Sequence, residues 1–226
     1  MNVLFNNEST YKLPQPFIDE CIDLADYVLM QEQAPFYAQV SLTLVDEDEI
    51  AALNKEYREK EGPTDVLSFP CDESAVAEAR AANEDANFDD DPTAVFWAEY
   101  NAVDAAEEEG EELEPLLLGD VVIAPVVAAK NAAELSASPD GVVPMGAVYN
   151  ELRLLVVHGV LHLMGYDHTE SDEQAEDMEQ REREILADWS ELSKADLPFG
   201  GAAGGCGSSG GCNARQDPGS SRACGA

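Results

Sequence analysis

The period at which apolar side chains recur changes several times along the 226 residues, and each change predicts an element. Val3-Leu4-Phe5 is a short apolar run suited to a first strand. After Pro14 and Pro16, the residues Phe17, Ile18, Cys21, Ile22, Ala25, Val28 and Leu29 recur at helical intervals and predict an amphipathic helix to about Gln33. Val40, Leu42 and Leu44 alternate with Ser41 and Thr43, the pattern of a strand with one buried face. Asp46 stands three residues before Glu49, a capping-box-like start to a helix whose Ile50, Leu53, Asn54 and Tyr57 share one side. Glycine and proline within residues 61–65 predict a turn, and residues 66–69 a strand that Pro70 stops. Residues 116–124 read as a further buried strand. Pro125 then suits the first turn of a helix continued by Val126, Val127, Lys130, Ala133 and Glu134. Residues 136–141 predict a loop. From about Pro144 to Met164 the chain is apolar on most faces, which marks a buried central helix. Residues 169–189 predict a last helix, acidic outside, with Ala175, Met178, Ile185 and Leu186 turned to the core.

Two stretches fall outside these patterns. Residues 72–114 are dominated by alanine, aspartate and glutamate, and read as a solvated acidic insertion in which Phe96, Trp97 and Tyr100 could dock weakly as a helix on the core. Residues 200–226 are a glycine-, serine- and cysteine-rich tail, too poor in apolar surface to offset its ordering entropy. The expected organisation is one domain over residues 1–199, with the insertion at about 72–114, and a disordered tail.

Charge narrows the partners. The formal net charge of −35 repels phosphate backbones and argues against nucleic-acid binding by the surface as a whole. The scarce basic residues Lys55, Arg58 and Lys60 cluster on one predicted helix. No leader or long apolar run is present, so the expectation is a soluble cytoplasmic protein with no membrane contact. The five cysteines are irregularly spaced and do not form a disulfide framework, and Cys206 and Cys212 lack the spacing of a zinc knuckle.

The candidate chemistry lies in residues 158–168, His-Gly-Val-Leu-His-Leu-Met-Gly-Tyr-Asp-His, which contain all three histidines of the chain. On a helix His158 and His162 project from the same face, and Gly165 permits a turn that brings His168 to the same centre. Zinc suits three neutral imidazoles, which leave one tetrahedral position open to a water with a pKa lowered to about 7. The spacing matches a long zinc-protease signature, but Gly159 stands where the protease carries its glutamate base. Two other arrangements stay open. The histidines could merely pack a helix, or Asp167 or a distant cysteine could close the site as a fourth ligand. Asp167 fits better as a group that orients an imidazole.

Residues 158–168, together with Tyr57-Arg58, the segment Pro63-Thr64-Asp65-Val66-Leu67-Ser68-Phe69-Pro70 and Leu118-Gly119-Asp120-Val121-Val122-Ile123, resemble the YbeY endoribonuclease family from near the N-terminus to about Trp189. Cys71 departs from the pattern, standing where an aromatic is more usual. The resemblance implies a single α/β (α+β) domain with a small mixed four-stranded sheet surrounded by helices and a zincin-like metal-binding helix. It implies one Zn2+ held by His158, His162 and His168, with Arg58 as the functional arginine. It also implies a zinc-dependent endoribonuclease, specific for single-stranded RNA, that acts in maturation of small-subunit ribosomal RNA, including its 3′ end, and in ribosome quality control. Basic ribosomal proteins are further candidate partners for the acidic surface. The guanidinium of Arg58 matches phosphate geometry, although such a residue could also pair with Glu56 or Glu61. Asp65 and Asp167 are candidate proton carriers. The competing readings are a zinc hydrolase of another substrate such as a peptide, and a non-catalytic ribosome-assembly factor with structural zinc.

Overall fold

In a computed structural model of the protein, the described residues are 2–35, 37–71, 115–136, 143–167 and 171–193. In chain order they form β1 (Val3–Asn7), α1 (Gln15–Gln31), β2 (Ala38–Leu44), α2 (Glu47–Arg58), β3 (Val66–Pro70), β4 (Leu116–Ile123), α3 (Pro125–Ser136), α4 (Met145–Leu163) and α5 (Asp172–Leu192). All belong to one unit, residues 1–196. The expected insertion at 72–114, with Phe96, Trp97 and Tyr100, and the expected tail at 200–226 lie outside the described residues.

The strands form a four-stranded sheet in the order β1-β2-β4-β3. β1, β2 and β4 run parallel, and β3 pairs antiparallel with β4. The fold is α/β with a mixed sheet. The alternation read along β2 holds, with Ala38, Val40, Leu42 and Leu44 buried and the residues between them half-buried. Pro70 takes part in β3 rather than stopping it, as an edge strand allows. The main core packs α1, α3, α4 and α5 against one face of the sheet through residues such as Leu24, Val121, Val157 and Leu161. Neighbouring strand residues point to opposite faces, and Val122 joins a smaller cluster with Val45, Ile50 and Leu67 that seats α2.

α4 is the buried central helix that its composition predicts, with Val157, Val160 and Leu161 fully enclosed. The start of α2 differs from expectation. Asp46 occupies the N-cap position but makes no side-chain cap. Its Oδ1 instead accepts hydrogen bonds from Ser9 Oγ at 2.9 Å and from the Thr10 amide at 2.8 Å. These bonds hold its carboxyl below the ordinary range. α5 begins at Asp172, because Ser171 Oγ accepts from the Gln174 amide at 3.2 Å and caps the helix there. Among the described residues no helix is long and apolar enough to cross a membrane.

Candidate metal centre at the end of the central helix

The last turn of α4 presents His158 and His162, and the way that turn ends fixes one of them. The Tyr166 amide donates to Leu161 O at 3.1 Å and the Gly165 amide to His162 O at 3.1 Å. This double bond pattern is the Schellman cap, which needs a residue at positive φ. Gly165 supplies it with φ 88°. The chain thereby turns back so that the carbonyl oxygen of Tyr166 lies 2.8 Å from Nδ1 of His162. On the other side, Nδ1 of His158 lies 2.7 Å from Oε1 of Glu182, a mostly buried residue of α5.

These contacts determine which nitrogens face the centre. A carbonyl can only accept, so His162 holds its proton on Nδ1, and the Glu182 carboxylate asks the same of His158. With both rings neutral, both Nε2 atoms carry lone pairs, and they face each other at 3.2 Å, with the rings edge to face. Lone pairs at that distance repel unless positive charge lies between them. Two imidazoles sharing one tetrahedral zinc, with bonds of about 2.0–2.1 Å, would place their nitrogens about 3.3–3.4 Å apart. The pair fits such an ion, and its second nitrogens are anchored as metal-binding histidines require. Among the described residues no group of three metal-ligating side chains converges. His168, the third residue of the expected trio, lies outside the described residues.

A second layer of polar contacts braces the turn. Tyr166 Oη donates to Glu32 Oε2 at 2.9 Å, and Arg181 Nε donates to Glu32 Oε1 at 2.6 Å. The Glu32 side chain is only 3% exposed. Burial works against the charge on Arg181, but Glu32, with Glu184 and Tyr166 adding to it, outweighs burial and raises the guanidinium above its ordinary value. Glu32, Arg181 and Glu182 escaped sequence reasoning. Glu182 left one faint signal: it falls on the buried stripe of α5 with Met178 and Ile185, where an unpaired carboxylate would be costly. The carboxylate beside His158 Nδ1 is Glu182.

The remaining candidates take different places. Arg58 ends α2 and is exposed. Its neighbour Tyr57 packs edge-on against Phe69 of β3, with ring centroids 5.1 Å apart. Beside Phe69, Ser68 Oγ donates to the carbonyl of Gly159 at 3.2 Å, so β3 ties the end of α2 to the histidine turn of α4. Glu61, one of the partners open to Arg58, pairs with Lys55 at 2.9 Å instead. Asp65 is held by three hydrogen bonds. Its Oδ1 accepts from the Val66 amide and Thr64 Oγ1, and its Oδ2 accepts from Asn131 Nδ2, which latches the start of β3 to α3.

Gly159 has a packing reason to replace the protease glutamate. A Cβ there would meet Cγ1 of Val121 at 2.4 Å, so a side chain where α4 crosses β4 would have to displace Val121 or lift the helix.

The chain is similar to known proteins over most of its length. A family model described as Endoribonuclease YbeY matches residues 4–190. Proteins named Endoribonuclease YbeY are similar over most of the chain. The one from Acidothermus cellulolyticus is 37% identical over 81% of this chain and 87% of its own length. That from Mycolicibacterium smegmatis is 33% identical over 84% of this chain and 83% of its own. A solution structure of a Thermotoga maritima protein aligns with a TM-score of 0.45 and 22% identity, over 88% of this chain and 99% of that one.

Proposed function

Because the chain belongs to the YbeY endoribonuclease family, we propose that it cleaves single-stranded RNA at a zinc ion held by His158, His162 and His168, and that it acts in maturation of small-subunit ribosomal RNA, including its 3′ end. Family membership supports RNA as the substrate. The observation that supports the metal is the pair of Nε2 atoms facing each other at 3.2 Å while both Nδ1 atoms are anchored.

When bound, zinc supplies Lewis acidity toward a phosphodiester oxygen and brings the pKa of a water to about 7. The chain's own residues do the rest. Glu182 and the Tyr166 carbonyl keep His158 and His162 in the tautomer that turns Nε2 inward. Gly159 lets α4 lie close on β4, and Ser68 pins the helix to β3 at that point. Arg58, exposed at the end of α2, offers a planar fork that matches two phosphate oxygens and would neutralise charge developing on them. The zinc-protease pattern carries its general base at the position of residue 159, where glycine stands and a side chain would collide with Val121.

The test is cleavage of a single-stranded RNA carrying a small-subunit 3′-end precursor sequence, beside its duplex. Loss of cleavage on chelation and its return with zinc are expected, with the duplex left intact. Arg58→Ala should lower kcat by about a hundredfold, the range for loss of one preorganised donor, while zinc content stays the same. Cleavage that survives both chelation and His158→Ala would refute the metal reading.

A further inference from the structure

Two adjacent residues of α5 reach both imidazoles by separate routes. Glu182 contacts His158 directly at 2.7 Å. Arg181 reaches His162 through three links: Arg181 to Glu32 at 2.6 Å, Tyr166 Oη to Glu32 at 2.9 Å, and the Tyr166 carbonyl to His162 Nδ1 at 2.8 Å. The middle group is a carboxylate with a 3% exposed side chain. Burying such a charge is costly unless it is paired and hydrogen-bonded, and Glu32 is held by a charged donor on one oxygen and a hydroxyl on the other. Arg181 also donates to the carbonyl of Gln31 at 3.2 Å, at the C-terminal end of α1. Its remaining nitrogen lies 3.3 Å from Glu184. α1, α5 and the cap of α4 thus converge on the side chain of Tyr166.

We propose that Tyr166, Glu32 and Arg181 are positioning residues that hold Tyr166 where its carbonyl meets His162, and through that contact steady the orientation of the His162 imidazole toward the metal. The carbonyl sits at the C″ position of a cap whose backbone bonds fix the turn up to residue 166. The carbonyl can reach Nδ1 only from where the Cα of Tyr166 stands, and a shift of that Cα would carry the acceptor away. Anchoring the ring at its far end, on an element from the other end of the chain, holds the Cβ and Cα of Tyr166 in place and so the point from which the carbonyl reaches the imidazole. A network serving only to tie α1 to α5 would not need a tyrosine hydroxyl from the metal turn. Groups that orient metal-bound histidines typically contribute 10- to 100-fold to metal affinity. Tyr166 acts at one remove, so Tyr166→Phe should lower zinc affinity by about tenfold, the lower end of that range.

The inference rests on the zinc reading above, and wild-type protein separates the two. The experiment measures zinc affinity of the full chain by competition with a chromophoric chelator, together with the visible spectrum of the cobalt-loaded protein and the melting temperature. Three proteins are compared: wild type, Tyr166→Phe, and Ile185→Val, which trims the buried face of α5 away from the network. The expected result is weaker zinc binding and an altered cobalt band in Tyr166→Phe. Ile185→Val should lose melting temperature while keeping wild-type zinc affinity and cobalt band. Zinc affinity in Tyr166→Phe within twofold of a zinc-binding wild type would overturn this inference alone. A wild type that binds no zinc would overturn the parent reading and this one together. If Tyr166→Phe does not fold, Arg181→Lys reads the network from its other end. It keeps a cation by Glu32 but gives up the bonds to Gln31 and Glu184, so a several-fold loss of zinc affinity supports the inference and an unchanged affinity overturns it.

Discussion

Replacing Gly159 by alanine tests how closely α4 must approach the sheet for the histidines to be where they are. The added Cβ would stand 2.4 Å from Cγ1 and 3.1 Å from Cγ2 of Val121, a fully buried residue of β4. Carbon atoms settle at about 3.5–4.0 Å, so roughly 1 Å must be recovered by movement. Val121 is β-branched and stiff about χ1. Its strand is paired on both sides, opposite Leu42 of β2 and Ser68 of β3. Overpacking of this kind costs about 1–3 kcal/mol, and the better helix propensity of alanine returns about 1 kcal/mol. The net expectation is a loss of up to about 2 kcal/mol, with α4 lifted and the Ser68 bond to residue 159 weakened. Urea unfolding of wild type, Gly159→Ala, Val121→Ala and the double variant measures it. Val121→Ala alone should cost about 2 kcal/mol, but it removes the methyls that the new Cβ would strike. The double variant should therefore be more stable than the sum of the singles by about 1 kcal/mol or more. Costs that add within about 0.5 kcal/mol would show that close packing is not why glycine stands there.

Glu182→Ala removes the acceptor for His158 Nδ1 and should weaken zinc binding by about 10- to 100-fold. Chelator competition reads this directly, and equal affinity would deny Glu182 its orienting part. Asp26 supplies a pH signature away from the site. Burial raises its carboxyl above the ordinary 3.8, with Asp23 adding to burial. A carboxyl shifted upward favours the fold while protonated. That contribution is complete below the unfolded value and is lost as pH rises through the folded one. Asp26→Asn should accordingly raise the urea midpoint at pH 7 and leave it unchanged at pH 3, and an equal effect at both would point to something other than ionisation.

What the sequence revealed and what it hid divide along sequence distance. His158 and His162 are four residues apart on one helix, so helical geometry alone juxtaposes them, and Gly165 announces its turn because few other residues tolerate that φ. The strands around Val40 and Val121 were legible because a half-buried or fully buried strand writes its environment into its period. Glu182 was hidden by its company, a helix so acidic that one inward carboxylate does not stand out. The Glu32 to Arg181 pair spans 149 positions, and no local rule connects residues so far apart. Asp46 shows a local rule losing: the three-residue spacing to Glu49 suggests a cap, but Ser9 and Thr10, brought alongside by β1, compete for the same oxygen and win it. Gly159 was legible as a departure from the protease pattern, but its cause is a valine on a strand 38 positions earlier and appears only when helix and sheet are packed.

Net charge is the property that sits least comfortably with RNA cleavage, and its distribution matters more than its sum. Residues 72–114 alone carry sixteen acidic residues and one basic residue, so much of the −35 belongs to a segment separate from α2, α4 and α5 in the chain. At physiological ionic strength a charge is screened beyond about 8 Å, and a bound phosphate responds mainly to its immediate neighbours. Around the histidine turn those carboxylates are engaged: Glu182 with His158, Glu32 with Arg181 and Tyr166. Glu61, near the end of α2, is paired with Lys55. The pairings with Arg181 and Lys55 each offset a negative charge that an approaching phosphate would otherwise meet, and Glu182 is turned toward His158. The acidic composition that argues against binding RNA over the whole surface is therefore compatible with binding it at one place, where the same carboxylates that would repel a phosphate are used to hold the groups that would receive it.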